Sequence, residues 1–445
     1  MRARPPLIAL LLLTLAACTP LPTPFPTSTP TCTLTPTPTL ISTSTPTPDH
    51  TPTSTFISPL APSPTRAISP IRTPVPDDAP AMPADPPPRP FDYTVVNPEP
   101  PRRAPNATRA FWVIDAVTGE RREIEARLRM QTEHVAMWVE EGVWHDVRQL
   151  DEAATFFETR TYSATRAAFG SEWTPGVDND PHIHILHATG LGEGVMGYTS
   201  GGDEFPRDLY PFSNEAEMVV VSAEGIEVGS QAYHALLARQ FQRLVQWFQD
   251  RNEERWVKEG LAELAVQLNG FDTFDANELE QTYLEHPDTS LIAWEGRGST
   301  AQRGAAYLFA VYFHERFGDA GVRALTAQSL NGIAGFNAAL ADLDRDITFE
   351  KLFVEWLAAN YLDGEPATHG YATLDLERPA PTAIHESYPV ALESSVQQYG
   401  ADYILLRGDD DVRIQFTGAT ATPLLGVLPH SGRYFWWANR ADESL

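Results

Sequence analysis

The chain has 445 residues, a formal net charge of −27 and 39 prolines, but only two cysteines. A nucleic-acid binder needs a basic stripe to meet phosphates; none is present, so nucleic acid is excluded as a partner. Both cysteines, Cys18 and Cys32, precede the aromatic-rich part of the chain, which therefore has no disulfide, no cysteine-ligated metal and no thiol nucleophile.

Arg2 and Arg4 are followed by an apolar run from Leu7 to Leu15, too short to span a bilayer comfortably and read as an export signal. The run ends in Leu15-Ala16-Ala17-Cys18, which resembles a bacterial lipobox. That resemblance implies removal of residues 1–17 and acylation of Cys18, with anchoring at the extracellular side of the bacterial cell membrane. Two acyl chains hold firmly where one is marginal. The alternative is an ordinary signal peptide that contains a cysteine. Residues 18–104 are dominated by a Pro/Thr tract. Pro fixes φ and removes backbone donors, so the tract reads as a stalk without a core, up to about 200 Å long if fully extended.

Residues 105–385 are expected to form the main domain. Short strands are predicted at Phe111–Ile114, His134–Val139, Ile183–Leu186 and Met218–Val221, with a helix at Asp151–Phe169 between them. Helical periodicity then takes over from Ser230, with apolar residues at 236, 237, 241, 244, 245 and 248 on one face. Further helices are predicted at Arg255–Leu268, Asn277–Leu284, Thr300–Phe317, Gly321–Leu330 and Phe349–Asn360. Strands return at Asp402–Leu406, Val412–Phe416 and Tyr434–Trp437. The result is an α+β chain with a mixed-sheet amino half, a helical carboxy half and a small β-rich module over 386–445, read as incomplete.

Chemistry concentrates between Ala238 and Glu263, which reads Ala-Arg239-Gln240-Phe-Gln-Arg243 and then Trp256-Val-Lys-Glu259-Gly260-Leu-Ala262-Glu263. This segment resembles the active site of secreted bacterial zincin metallopeptidases of the gluzincin type, related to immune inhibitor A and hyicolysin. In that family the first part reads His-Glu-Phe-Gln-His, and Trp-x-x-Glu-Gly-x-x-Glu brings the third zinc ligand. Gly197-Tyr198-Thr199-Ser200, Tyr210-Pro211-Phe212-Ser213-Asn214-Glu215, His286-Pro287-Asp288-Thr289, Gly304-Ala305-Ala306-Tyr307 and Gln398-Tyr399-Gly400-Ala401 extend the likeness over most of Phe111 to Arg440. The resemblance implies a thermolysin-like zincin fold and a peptide-binding cleft.

It also implies a zinc site that these residues cannot make. Two neutral histidines one helical turn apart must share one Zn²⁺, and a Glu beside the first must take a proton from its bound water. Positions 239 and 243 keep the spacing, but both are Arg, which has no lone pair to offer a metal. Gln240 cannot act as a base. Only Glu259 matches the family's third ligand, so no zinc and no other cofactor is expected. A second departure is Gln302-Arg303, where family members often carry His-Tyr. The charges suggest a replacement: two Arg⁺ and one Glu⁻ carry the same net charge as two neutral His, one Glu⁻ and Zn²⁺. Arg239 or Arg243 is therefore expected to pair with Glu259, the alternative being that both face solvent. Glu263 is expected to orient an Arg neighbour or a helix end, and Glu263, Gln302, Arg303 and Tyr307 are candidates for lining the cleft.

Three features lie outside this constellation. His182 and His184 share one face of a strand but lack a convergent carboxylate, so structural or surface roles are expected. His234 has no His at 238 and cannot restore the lost pair. Asp178-Asn179-Asp180 and Asp409-Asp410-Asp411 could hold Ca²⁺ but read more simply as solvated turns. The sequence reading is a catalytically inactive, lipid-anchored metallopeptidase-like protein that binds peptides or proteins. Its rivals are an active peptidase with unusual ligands and a structural envelope lipoprotein.

Overall fold

The computed structural model of the chain describes residues 7–13, 95–271, 276–296, 298–363, 370–408, 423–428 and 433–438. Cys18, Cys32, the Pro/Thr tract, Asp409–Asp411 and the strand predicted at Val412–Phe416 lie outside the described residues.

Alternating side chains organise the amino half. Strands β2 (Thr108–Ile114), β3 (Arg121–Gln131), β4 (Val135–Glu140), β5 (Ile183–Ala188), β6 (Gly197–Tyr198) and β7 (Met218–Ser222) form a mixed sheet in the order β2-β3-β4-β5-β7-β6. The strands β4, β5 and β7 are parallel, while β6 closes one edge antiparallel to β7. Val135, Met137, Ile183, Ile185, Val219 and Val221 enter the core shared with the helices. Their neighbours Ala136, Trp138, Leu186, Met218 and Val220 enter a second core on the opposite face with Phe111, Ile124 and Leu128. Burial on both faces is why these parallel strands read as continuous apolar runs.

The sequence reading missed β3. Ile124, Ala126 and Leu128 point inward and Glu123 and Glu125 outward, a period of two that the density of Arg and Glu conceals. Helix α1 (Val147–Phe156) begins at an Asp146 cap and runs through one π turn, Phe157–Thr161, into α2 (Tyr162–Phe169).

The helical half follows the predicted pattern closely. Helix α3 (Gln231–Asp250) starts where the Ser230 hydroxyl accepts from the Tyr233 amide; α4 (Arg255–Leu268) and α5 (Ala276–Glu285) succeed it. Helix α6 (Thr300–Thr326) joins two predicted helices across a break at Gly318, whose φ of 65° suits glycine. Helix α7 (Gly332–Asp342), unanticipated in a Gly/Ala-rich stretch, precedes α8 (Phe349–Leu362). Trp256 of α4, Phe309 of α6, Phe336 of α7 and Phe349 and Trp356 of α8 interlock edge-to-face and stacked at centroid distances of 5.3–6.0 Å, the geometry aromatic quadrupoles favour.

A second sheet has the order β11 (Arg433–Ala438), β10 (Pro423–Leu428), β1 (Leu7–Leu13), β9 (Asp402–Gly408), β8 (Ala383–His385). The apolar run read as an export signal thus supplies a strand paired antiparallel on both edges.

Two glycines let α4, α5 and α6 approach closely enough to assemble the site. A Cβ on Gly260 would lie 2.5 Å from the Ala306 carbonyl oxygen, and one on Gly304 would overlap the Leu279 carbonyl. Gly260→Ala should therefore force α4 from α6 and destabilise the domain by about 2 kcal/mol, the usual scale of overpacking. Chemical denaturation checks this; an unchanged midpoint would contradict the close packing.

Candidate functional site

Helix α3 carries its apolar residues Leu237, Phe241, Leu244 and Val245 into the main core. Arg239, Gln240 and Arg243 lie off that stripe, yet they do not face solvent. Arg239 is 5% exposed and Gln240 1%. Against them lies α4, which presents Glu259 and Glu263, themselves buried and one helical turn apart.

The guanidiniums and carboxylates meet in register. Arg239 Nη2 donates to Glu263 Oε2 at 2.6 Å, and Arg243 Nη2 donates to Glu259 Oε2 at 2.7 Å. From α6, Arg303 Nη2 donates to the other oxygen of Glu263 at 3.2 Å. The two helices are cross-linked by two charge pairs, and Glu263 ties in a third helix. Charge-assisted bonds of this length are the stronger class. Of the two arginines expected as partners of Glu259, Arg243 makes the pair, while Arg239 pairs with Glu263, which the sequence reading left as an orienting residue.

The other candidates divide. Tyr307 is buried one turn beyond Arg303 on α6. Gln302 is committed elsewhere: it closes a capping box with Ser299 and its amide donates to the Ala293 carbonyl at 2.7 Å. Gln240 Oε1 accepts from the Thr199 hydroxyl at 3.3 Å, which links the polar stripe of α3 to the residue following edge strand β6. Its Nε2 is buried with no hydrogen-bond partner among the described residues. His234 packs between Phe156 and Phe271 at centroid distances of 4.2 and 5.8 Å, a packing role.

A zinc ion does not fit these donors. The two positions where the resemblance expects imidazole nitrogens hold guanidiniums, which have no lone pair for a metal. Both carboxylates nearest the axis are already engaged by Arg.

Two sequence expectations fail on the opposite face of the sheet. Asp178 and Asp180 are not solvated; they are 3% and 2% exposed and cluster with the fully buried His184. Carboxylates therefore do converge on the His182 and His184 strand face, because the turn folds back: Asp180 contacts the rings of both. In this arrangement His184 offers no lone pair to a metal. The Trp138 indole N–H, a donor only, donates to His184 Nδ1 at 2.9 Å. Neutral imidazole then carries its proton on Nε2, the atom aimed at Asp180, and has no lone pair there. Burial drives the His184 pKa well down, which keeps the ring neutral. Arg103 contacts Asp178 and Asp180, so a guanidinium neutralises this cluster too.

No protein-family model matches the chain, and no curated protein matches it.

Removing Glu263 takes a carboxylate partner from the nearly dry Arg239 and from the part-exposed Arg303. Glu263→Ala should cost about 3–5 kcal/mol, the scale for breaking a buried pair. Glu259→Ala should cost less, about 1–3 kcal/mol, because its Arg243 partner is 18% exposed and can reach water. Denaturant midpoints give both; a loss below about 0.5 kcal/mol for Glu263→Ala would contradict the buried network.

Proposed function

We propose that the chain is a zincin-like pseudopeptidase, lipid-anchored through Cys18 on the extracellular side of the bacterial membrane, that binds peptides or proteins without cutting them. One observation carries the reading. The i, i+4 stripe of α3 that the resemblance assigns to zinc faces Glu259 across α4, and the metal's place is taken by Arg239 and Arg243 paired with Glu263 and Glu259. The sheet supports it as well. A short antiparallel strand, β6, last in the sheet order among the described residues, leads through Thr199 to Gln240, so the edge of the sheet borders the polar stripe. An extended peptide can pair with such an edge through its backbone alone.

Hydrolysis by the zincin route needs a metal-bound water and a base beside it. Arg239, Arg243 and Gln240 supply neither, so binding is the function left to the cleft. A peptidase built instead on His182 and His184 loses support from the His184 tautomer. The lipid anchor rests on Leu15-Ala16-Ala17-Cys18. In a chain processed before Cys18, the strand partner Leu7–Leu13 departs from between β9 and β10.

Rebuilding the site tests the scaffold. The variant Arg239→His/Gln240→Glu/Arg243→His should take up zinc in equimolar amount and gain chelator-sensitive cleavage of casein. Adding Glu259→Ala should abolish the uptake. The unaltered chain should retain casein-derived peptides in equilibrium dialysis while holding no zinc. A folded rebuilt variant without zinc would sink the zincin reading; a wild-type chain that holds zinc or retains no peptide would sink the pseudopeptidase reading.

A further inference from the structure

The second sheet is built around the segment that the sequence marks for removal. Strand β1 lies between β9 and β10 and runs antiparallel to both. All of Leu7–Leu13 pairs with β9, from Leu7 opposite Gly408 to Leu13 opposite Asp402. Leu10 to Leu13 also pair with β10, opposite Val427 to Leu424. Among the described residues no other strand joins β9 to β10.

Each wall keeps its outer partner without β1. The far edge of β9 pairs in parallel with β8. Tyr403 of β9 is buried in the main core, where its hydroxyl donates to the Leu357 carbonyl at 2.9 Å. The Thr382 amide donates to the Tyr403 carbonyl at 2.8 Å, and the Thr382 hydroxyl to Asp402 at 2.8 Å. Strand β10 is paired with β11 along the whole of Pro423–Leu428. Removing β1 therefore leaves two strand edges whose backbone N–H and C=O groups have lost their partners, and such edges are templates for another strand.

We propose that, once residues 1–17 are removed, β9 and β10 form an acceptor slot that captures an extended apolar segment of a partner protein in the place of β1. The slot rests on the processing reading above and is separate from the cleft at α3.

The chemistry of the occupant is read from β1. Leu-Ile-Ala-Leu-Leu-Leu-Leu is apolar at every position, so both faces of the strand are apolar, the pattern of a strand covered on both sides. Backbone pairing is indifferent to sequence, so a segment of similar length and apolar character takes its place. The two other ways of closing the slot recover less. Strands β9 and β10 are each antiparallel to β1 and so parallel to each other. Direct closure would exchange two antiparallel ladders for one parallel ladder, the slightly weaker kind per residue. A second copy pairing β9 with β9 across a two-fold axis would satisfy β9 and leave β10 open.

Peptide capture tests this. The full chain carrying Cys18→Ser, which blocks acylation, is given a protease site between Leu13 and Cys18, cut after folding and freed of the released segment. A labelled peptide with the sequence of residues 1–15 should bind the cut chain one to one. The uncut chain should bind it at least about tenfold more weakly, because its tethered strand competes at about millimolar effective concentration. The same peptide with Leu10→Pro should also bind at least about tenfold more weakly, since a central strand does not accept proline. In hydrogen exchange, β9 amides should lose protection on release of the segment and regain it with peptide, while α8 stays unchanged. A cut, folded chain that binds the peptide no better than the uncut one would overturn the slot. So would equal binding of the proline peptide, β9 protection that persists without peptide, or a dimer that excludes the peptide. A membrane-bound chain that retains residues 1–17 by mass spectrometry would overturn both the slot and the lipid anchor. Failed capture alone leaves the pseudopeptidase reading standing, because dialysis of casein-derived peptides against the uncut chain, whose slot is filled, reads the cleft by itself.

Discussion

A guanidinium taken out of water must be met by a carboxylate or be expelled. Helices α3 and α4 are held in register by that demand. Arg239 sits in a nearly dry interface, and Glu263 lies opposite it to meet its charge. Breaking such a pair costs far more than the pair contributes against an apolar replacement. The network therefore specifies the arrangement of the helices more than it adds to stability. Arg303 makes α6 answer to the same carboxylate, and the glycines at 260 and 304 permit the approach that the charges require.

The chain handles excess buried charge by two routes. Around Arg239 and Arg243, opposite charges meet directly. On the other face of the sheet, Asp178 and Asp180 are met by Arg103, and His184 is kept neutral by the indole of Trp138. Glu204 and Glu217 are buried without a guanidinium among the described residues, and burial raises both carboxyls above their ordinary range.

Much of the helical half was legible in the sequence, because a 3.6-residue period in Leu, Phe and Val survives insertion of polar residues. The polar stripe at 239, 240 and 243 was legible from spacing, and its relation to Glu259 from the resemblance to zincins. What escaped was long-range. Strand β3 was hidden by outward Arg and Glu that local composition reads as a solvated segment. Asp178 and Asp180 looked like a surface turn because nothing local announces that Arg103, some 75 residues earlier, folds over them. Gln302 looked like a cleft residue, and only the conformation at Ser299 reveals its capping role. The run Leu7–Leu13 has two ways to satisfy its backbone, in a membrane-targeting signal or between two strands, and composition does not choose between them.

The most direct test of the central claim is a double-mutant cycle on Arg239 and Glu263, using Arg239→Met and Glu263→Gln and reading unfolding free energies. The account predicts that each single change is severely destabilising and that the double variant recovers, with a coupling energy of at least about 2 kcal/mol. Additive losses, with a coupling below about 0.5 kcal/mol, would contradict it: the two charges would not depend on each other, and the ion pair would not be what holds α3 against α4.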